Sequence, residues 1–571
     1  MDQPKIESPG SRLRRLIEER PTMVFIAAFL FLNTMVNLRY PGSEPTLWYV
    51  VPSVEVLIVL AYFAWFRSAG WRVPKGVHVA LVAGLLAIRL LRAGDGVQER
   101  YFAQKFNLYT DLPLVPELVR FLRSSLPIWG FVLIVLAVLA GLVALCLSSY
   151  YALVYSEQYL QRKRHVYTAA VVAGGLFVGA WGLGHHPRHD ALFSLNGLGA
   201  SVLPRVEQEV AILFNLYSER AGYGQRITQS QERYRSMPTN LAKLKRADVH
   251  LILIESYGQC VLEVPEYVDY MRPVFDDFEK ALAESGFTAV TGFLKSSTYG
   301  GQSWFAHATL GTGIRITNQL EHEIVVARRP KTLASFFRAA GYRTVLVAPA
   351  TSRPWPKGEF YNFEHKYYGW HFGYEGPSFA WAPMPDQFVL DFVRRKELTR
   401  KEGRPSFIQY LLVSSHAPWS DIPPVIEDWS RVGDGSIYRR EKRHRYPVKW
   451  PHFEHAQRPY VHSIAYDFRI LTRYIPEYVR DPALVVVLGD HQPVWDVNGY
   501  SDAWGVPVHV MSRDPALLEP FRALGYAPGI RKTPRGNHAG LETFLPDFLT
   551  GFSTGTTQST EALSDDVETG I

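Results

Sequence analysis

Val249-His250-Leu251-Ile252-Leu253-Ile254 runs straight into Glu255. A short apolar run rich in Val, Ile and Leu suits a strand buried on both faces, as in a parallel sheet flanked by helices. Two further runs end in the same way: Phe407 to Val413 leads into Ser414-Ser415-His416, and Leu484 to Leu488 leads into Gly489-Asp490-His491. Sheets of this kind bind ligands beyond the carboxyl ends of their strands, which is where these polar side chains fall. Two carboxylates and two imidazoles delivered to one sheet edge point to a metal-dependent enzyme. Between the runs the pattern alternates, with Thr332 to Ala340 reading as a helix stopped by Gly341 and Thr344 to Val347 as a strand. Residues 248–550 are therefore expected to form an α/β domain with a central, mostly parallel sheet, closing after an apolar helix at Leu541 to Leu549. The Ser/Thr/Gly-rich stretch 551–571 reads as a disordered tail.

The chain has 571 residues, too many for one ordinary domain, and its apolar residues crowd the first third. Thr22 to Leu38, Leu47 to Phe66, Val77 to Leu91, Ile128 to Cys146 and Val166 to Leu183 read as five membrane helices, each near the length needed to cross about 30 Å of hydrocarbon. The third is short and carries Arg89. Basic clusters set the orientation: Lys5, Arg12, Arg14, Arg15 and Arg20 before the first span, Arg67, Arg72 and Lys75 after the second, and Arg162, Lys163 and Arg164 after the fourth. With five spans all three clusters fall on one side, the cytoplasmic one by the positive-inside rule. The expected order is a cytoplasmic N-terminus (1–21), a membrane domain (22–185), a juxtamembrane connector (186–247) and the α/β domain on the outer side. In the connector, Val206 to Tyr217 is amphipathic and fits either a helix lying on the membrane surface or an ordinary packed linker helix.

Cys146 falls in the fourth span and Cys260 in the outer domain, so no intramolecular disulfide is expected and the domain must be held by its core. The net charge of +7 comes from the cytoplasmic clusters and one outer stretch, Arg439, Arg440, Lys442, Arg443, Arg445 and Lys449 interleaved with Tyr446, Trp450 and His452. That stretch reads as solvated surface or as a docking surface for an acidic glycan or lipid headgroups. No nucleic-acid motif is present.

An Asp-His dipeptide alone fits a surface turn, but Asp490-His491 follows a buried strand, with Gly489 allowing a tight turn, and Glu255 closes a strand likewise. The nucleophile is sought in Ser296-Ser297-Thr298-Tyr299-Gly300-Gly301-Gln302-Ser303-Trp304-Phe305-Ala306. Ser303 is best placed, since the glycines make a close turn and a helix can start there, whose free N–H groups favour an alkoxide and an incoming phosphate. Simple N-capping by Ser303 is the plainer reading, and Thr298 is the reserve candidate. Glu255, Ser303, Asp490 and His491 would offer a cation three oxygens and one nitrogen, a mixture that suits Mn²⁺ or Zn²⁺, with Mg²⁺ as a further option. His416 and His538 are candidates for binding phosphate or protonating a leaving group, or are structural.

These residues together resemble the alkaline phosphatase superfamily, in its membrane-anchored lipoteichoic acid synthase and phosphoglycerol or phosphoethanolamine transferase type with a sulfatase-like domain. The resemblance rests on Glu255 after the first strand, Ser303 in its Gly-Gly-Gln-Ser segment, Gly489-Asp490-His491 and His416. It implies five spans in the bacterial cytoplasmic (inner) membrane and a catalytic domain on the periplasmic or extracellular side. It implies Glu255, Ser303, Asp490 and His491 as ligands of one divalent metal, Mn²⁺ first, with Ser303 as nucleophile and His416 in the substrate pocket. Trp355 and Lys357, or Arg353, match the residues that contact the headgroup phosphate. The implied activity is transfer of a phospho-headgroup from a membrane phospholipid to an envelope glycan or lipid acceptor through Ser303. Hydrolysis by the same fold, as phosphodiesterase or sulfatase, is the first alternative, and a non-catalytic glycan- or lipid-binding protein the second. The family usually has threonine where this chain has Ser303. Ser303-Trp304-Phe305-Ala306-His307 departs from the Cys/Ser-x-Pro-x-Arg of true sulfatases, which disfavours formylglycine chemistry.

Overall fold

The computed structural model describes residues 18–38, 52–102, 106–116, 119, 123, 128–162, 203–400, 403–448, 453, 455–499, 503–531 and 538–555. The chain divides into two compact units, Met1–Arg100 with Gln104–Tyr217 and Tyr101–Ala103 with Ser218–Ile571.

The first unit is helical: Pro21–Asn37, Val54–Ser68, Lys75–Phe102 and Ile128–Arg162 pack around Leu32, Val36, Leu60, Phe63 and Leu153. Among the described residues two helices, Lys75–Tyr101 and Ile128–Gln161, are long and apolar enough to cross a membrane, and Pro21–Asn37 is apolar but shorter. The expected fifth span, Val166 to Leu183, lies outside the described residues. Trp129, Leu133, Leu136 and Leu139 stand exposed on the Ile128–Arg162 helix. Its buried Glu157, by contrast, is met by His78 Nε2 at 3.1 Å and Arg67 Nε at 3.6 Å. The third helix runs well past the expected Leu91, because its charges find partners: Arg89 donates to the carbonyl of Leu38, and Asp95 is met by Arg205 at 3.1 Å and Arg92 at 3.6 Å. Arg205 opens the long helix Leu203–Arg235, which covers the expected Val206 to Tyr217 segment and carries Tyr223, Ile227 and Tyr234 into the core of the second unit.

The second unit is built on an eight-stranded sheet of order β10-β2-β9-β8-β1-β5-β3-β4. In chain order its strands are β1 (Asp248–Ile254), β2 (Thr288–Lys295), β3 (Arg343–Ala348), β4 (His365–Tyr368), β5 (Ser406–Leu412), β8 (Ala483–Gly489), β9 (Gly505–Ser512) and β10 (Ala527–Pro528). Asp421–Ile422 (β6) and His444–Arg445 (β7) form a separate hairpin-like pair. Strands β8, β1, β5, β3 and β4 are parallel, whereas β9 is antiparallel to both β8 and β2. Two reversals leave β2 pointing the same way as β8. Hence Lys295, at the end of β2, pairs with Gly505 at the edge where Ile254 lies level with Leu412 and Gly489.

The side chains of β1 alternate between two cores, as the pleat requires. Ile252 and Ile254 face a core filled by Phe275 and Phe278 from helix Pro265–Glu284 and Ile464, Phe468 and Leu471 from helix Gln457–Tyr478. Val249, Leu251 and Leu253 face the other core, with Phe305, Phe337 and Phe548 from helices Ser303–Thr312, Leu333–Ala339 and Phe544–Phe552. Burial on both faces explains why the central strands are uninterrupted apolar runs. Neither cysteine is bridged, and Cys260 is buried in the first of these cores.

Two fully buried histidines sit in this sheet. His250 Nδ1 is 2.9 Å from the Tyr410 hydroxyl. Thr291 Oγ1 donates to the carbonyl of Gly529, so His509 Nδ1–H donates to Thr291 Oγ1 at 2.8 Å and His509 Nε2 accepts from Tyr257 OH at 2.9 Å. Burial pushes His250 down from 6.5 to about 4 and His509 to about 3. Below pH 6.5 the unfolded chain takes up protons that these rings refuse, so stability is full above that pH and is lost as pH falls. Each ring is expected to remove about 1.4 kcal/mol per pH unit over that window. Denaturant unfolding of His509→Gln from pH 7 to 4 should show a shallower loss than the unaltered chain.

Candidate active site

The carboxyl edge of the sheet gathers four of the expected residues. Glu255 follows β1 and is turned by Ser256, which has φ +58°. Asp490 and His491 follow β8, where Gly489 is required for a reason other than the expected turn. It does not take the left-handed conformation; an added Cβ would stand 1.8 Å from the carbonyl oxygen of Tyr257. Ser303 arrives by the loop after β2, in which Gly300, Gly301 and Gln302 take φ of +68°, +151° and +60°. Gln302, not Ser303, is the N-cap of helix Ser303–Thr312, so the Ser303 hydroxyl is free of capping duty.

That hydroxyl donates to Glu255, 3.0 Å from Oε2 and 3.2 Å from Oε1, and lies 3.1 Å from His491 Nε2. His491 Nε2 is 3.2 Å from Glu255 Oε1 and 3.8 Å from Asp490 Oδ2. Backbone N–H groups of Ser256 and His491 both donate to Asp490 Oδ1 at 2.8 Å and fix the carboxylate. Its other oxygen, Oδ2, is buried with no hydrogen-bond partner. Such an orphan is costly unless something pairs with it. His491 Nδ1–H donates to the carbonyl of Gln492 at 2.8 Å, which turns Nε2 toward Ser303 and Glu255.

Burial pushes Glu255 up, but the His491 hydrogen bond and charge, aided by His416 and His307, outweigh it and hold the carboxyl well below its usual range. Burial likewise lowers His491, yet Asp490 and Glu255 overcome this and raise it to about 9. Glu255, Asp490 and His491 can bring donor atoms within 4.8 Å of one another, and Ser303 adds a fourth. Donor type, the orphaned Asp490 Oδ2 and the aim of His491 Nε2 all fit a divalent cation.

His416 follows β5. Its Nδ1–H donates to the carbonyl of Ala417 at 2.6 Å and its ring stacks on Trp381, 3.9 Å between centroids and 17° between planes, leaving Nε2 for a ligand. The loop is pinned from beneath: Ser415 Oγ donates to the carbonyl of Glu255 at 2.8 Å, and Asp386 accepts from the amides of Val413 at 2.9 Å and Ser414 at 2.6 Å. Asp386 lies beside Asp467 in full burial, which lifts Asp386 to about 6 and Asp467 well above its usual value, so the pair shares a proton at neutral pH. Asp386→Asn puts an amide nitrogen against a backbone donor and should cost about 1–3 kcal/mol. Asp467→Asn, already a neutral partner, should cost much less. Thermal unfolding of the two variants distinguishes them.

The other expected residues occupy other surroundings. His538 stacks on Phe293 at 5.2 Å and lines a cavity of about 270 Å³ with Phe521, Tyr526 and Phe548, and burial lowers its pKa. Trp355 packs beside Tyr361 at 5.8 Å, Lys357 pairs with Glu323 at 3.4 Å, and Arg353 is exposed. Thr298 is fully buried, and its hydroxyl has no hydrogen-bond partner. In the basic stretch Arg443 is engaged by Asp421 at 2.5 Å and lies over Phe379, whereas Arg440, Lys442 and Arg445 are exposed; Lys449, Trp450 and His452 lie outside the described residues. Sequence reading missed His307, whose Nε2 is 3.5 Å from Asp490 Oδ2. Its one signal is its position a helical turn after Ser303.

Residues 280–509 match the family described as Sulfatase. Ser303, His416, Asp490 and His491 lie inside the match and Glu255 before it. The second unit thus carries a sulfatase-like segment, as the resemblance drawn from the sequence implied. No curated protein matches the chain. Solved structures to which it is similar include the lipoteichoic acid synthase LtaP from Listeria monocytogenes, at 16% identity over 55% of this chain and 74% of that one, with a TM-score of 0.38. They also include the Streptococcus pyogenes phosphoglycerol transferase GacH in complex with sn-glycerol-1-phosphate, at 15% identity over 58% and 91% of the two chains, TM-score 0.34. A third is the C-terminal periplasmic domain of EcEptC from Escherichia coli, at 13% identity over 52% and 80%, TM-score 0.33.

Proposed function

We propose that this protein is a metal-dependent transferase that moves a phospho-headgroup, phosphoglycerol or phosphoethanolamine, from a membrane phospholipid to a cell-envelope glycan or lipid through a covalent Ser303 intermediate. The observation that carries the reading is the Ser303 hydroxyl held 3.0 Å from Glu255 and 3.1 Å from His491, beside the Asp490 oxygen that has no hydrogen bond. Glu255, Ser303, Asp490 and His491 would hold the cation, Mn²⁺ or alternatively Zn²⁺ or Mg²⁺. When bound, it lowers the pKa of a coordinated hydroxyl and polarises a phosphoryl oxygen.

The chain's own groups do the rest. Ser303 first releases its proton to solvent; its Oγ then forms a bond to phosphorus, while the bond from phosphorus to the diacylglycerol oxygen breaks. That oxygen takes a proton from His416, whose Nε2 is left open by the Nδ1 bond to Ala417. The acceptor hydroxyl then returns a proton to His416, attacks the phosphoseryl ester and releases Ser303. Helix Ser303–Thr312 turns its amino end to the phosphate and favours the negative charge there. Arg353, Trp355, Lys357 and His538 are the candidates for headgroup contacts outside the core of the site. The setting is the outer face of a bacterial cytoplasmic membrane, which keeps the site near the headgroup layer.

The test is to incubate the full-length protein with mixed phospholipid vesicles, digest it and weigh the peptide that contains Ser303. A headgroup mass on Ser303 is expected, and its discharge on adding an acceptor glycan identifies transfer. Discharge by water alone, indifferent to acceptor, would make the protein a hydrolase.

A further inference from the structure

We propose that Trp381 is a positioning residue for His416: its indole face sets the plane of the imidazole and so fixes the direction in which Nε2 presents a proton. The inference rests on the role given to His416 above. The terminal torsion of a histidine is intrinsically broad, so a ring held at one corner still tilts. The Nδ1–H bond to the carbonyl of Ala417 at 2.6 Å holds that corner. Stacking on Trp381, with centroids 3.9 Å apart and planes 17° apart, removes the tilt.

A constructed turn puts the indole there. The backbones of Phe379 and Ala382 exchange two hydrogen bonds at 2.9 Å and close a tight loop over Ala380 and Trp381, in which Ala380 takes φ +49°. That conformation is costly for alanine and persists only where the surroundings enforce it. They do so here: Phe379 and Ala382 are buried, and Phe379 lies under the guanidinium of Arg443 at 4.5 Å, itself paired with Asp421. Further along the same segment Asp386 accepts from the amides of Val413 and Ser414, and its own amide donates to Ser414 Oγ at 2.9 Å. One stretch of chain therefore grips the backbone of the His416 loop at one end and the face of the His416 ring at the other. Trp381 itself is only partly buried, so it adds less to the core than the residues that flank it.

The experiment measures cleavage, by the full-length protein in detergent, of paired phosphodiesters of glycerol and of ethanolamine. In each pair the leaving alcohol is either octanol, which needs a proton to depart, or p-nitrophenol, which does not. Trp381→Leu should lower kcat for the octyl esters about 10- to 100-fold, the scale set by misplacing a reacting group, and leave the nitrophenyl esters within about threefold. Trp381→Phe, which keeps a ring face, should recover most of the loss. In a His416→Gln background Trp381→Leu should add less than about twofold, because a positioning group has nothing left to position. Trp381→Gln carries the same expectations should the leucine variant fail to fold. Equal slowing of both esters, losses that multiply in the double variant, or an unaltered rate in the single one would each overturn the proposal. His416→Gln separates the two levels: if it is slow on octyl esters while the Trp381 variants are not, only the positioning role is refuted. If it cleaves them normally, the general-acid reading of His416 is wrong and the proposal falls with it.

Discussion

Ser303→Ala is expected to abolish the headgroup adduct and to lower transfer by at least about 10³-fold, the scale of loss when a covalent nucleophile is removed. Among the described residues the Ser303 oxygen is the one hydroxyl hydrogen-bonded to both Glu255 and His491, at 3.0 and 3.1 Å. Thr298, the alternative read from the sequence, is fully buried and its hydroxyl has no hydrogen-bond partner. The fold should survive the change, because Ser303 follows the N-cap position and does not cap the helix, and the loss is limited to hydrogen bonds of about 1 kcal/mol each. Ser303→Thr keeps the hydroxyl and should retain turnover within roughly tenfold, the extra methyl being its only burden. Mass analysis of the digested variants after incubation with phospholipid decides the matter. An adduct that persists in Ser303→Ala would move the nucleophile elsewhere.

How far such a site can be read from sequence depends on what each residue needs from its neighbours. β1, β5 and β8 were legible almost to their ends, since strands buried on both faces must be continuously apolar, and a polar residue follows each within two positions. β2 and β9 were not, because Gly292, Thr291, Pro507 and His509 break both the alternation and the apolar run. Only their antiparallel pairing turns β2 so that its loop delivers Ser303 to the same edge. Thr332 reads as the first residue of its helix but stands outside it as a capping-box residue. Gly489 is necessary not for a tight turn but because of a carbonyl from a distant loop, which no local pattern encodes. Trp381 and the Asp386–Asp467 pair likewise owe their positions to tertiary packing, so no local spacing marks them, and His307 is marked only by standing one helical turn after Ser303. Apolar helices in the first third were legible as composition, two of them long and apolar enough to cross a membrane among the described residues, whereas the true extent of the Lys75–Phe102 helix depends on partners for Arg89, Arg92 and Asp95 supplied by other segments.

Stripping the cation should abolish adduct formation and lower the unfolding temperature together, and both should return when the metal is restored. Without it, Glu255 and Asp490 are buried carboxylates whose positive partners are histidines alone, and Asp490 Oδ2 has no hydrogen bond. His491 then acts as the counter-charge, which is why its pKa stands raised to about 9. To ligate, its Nε2 must give up that proton, so at neutral pH binding releases one proton from this ring. Apparent affinity should therefore rise about tenfold per pH unit up to about 9 and level off above it. At a metal concentration near a thousand times Kd the folded state gains about 4 kcal/mol, enough to shift thermal unfolding by several degrees. Asp490→Asn should behave as the chelated protein does and gain nothing from added metal. A chelated protein that kept both its unfolding temperature and its Ser303 adduct would place the chemistry on the hydroxyl, Glu255 and the histidines alone.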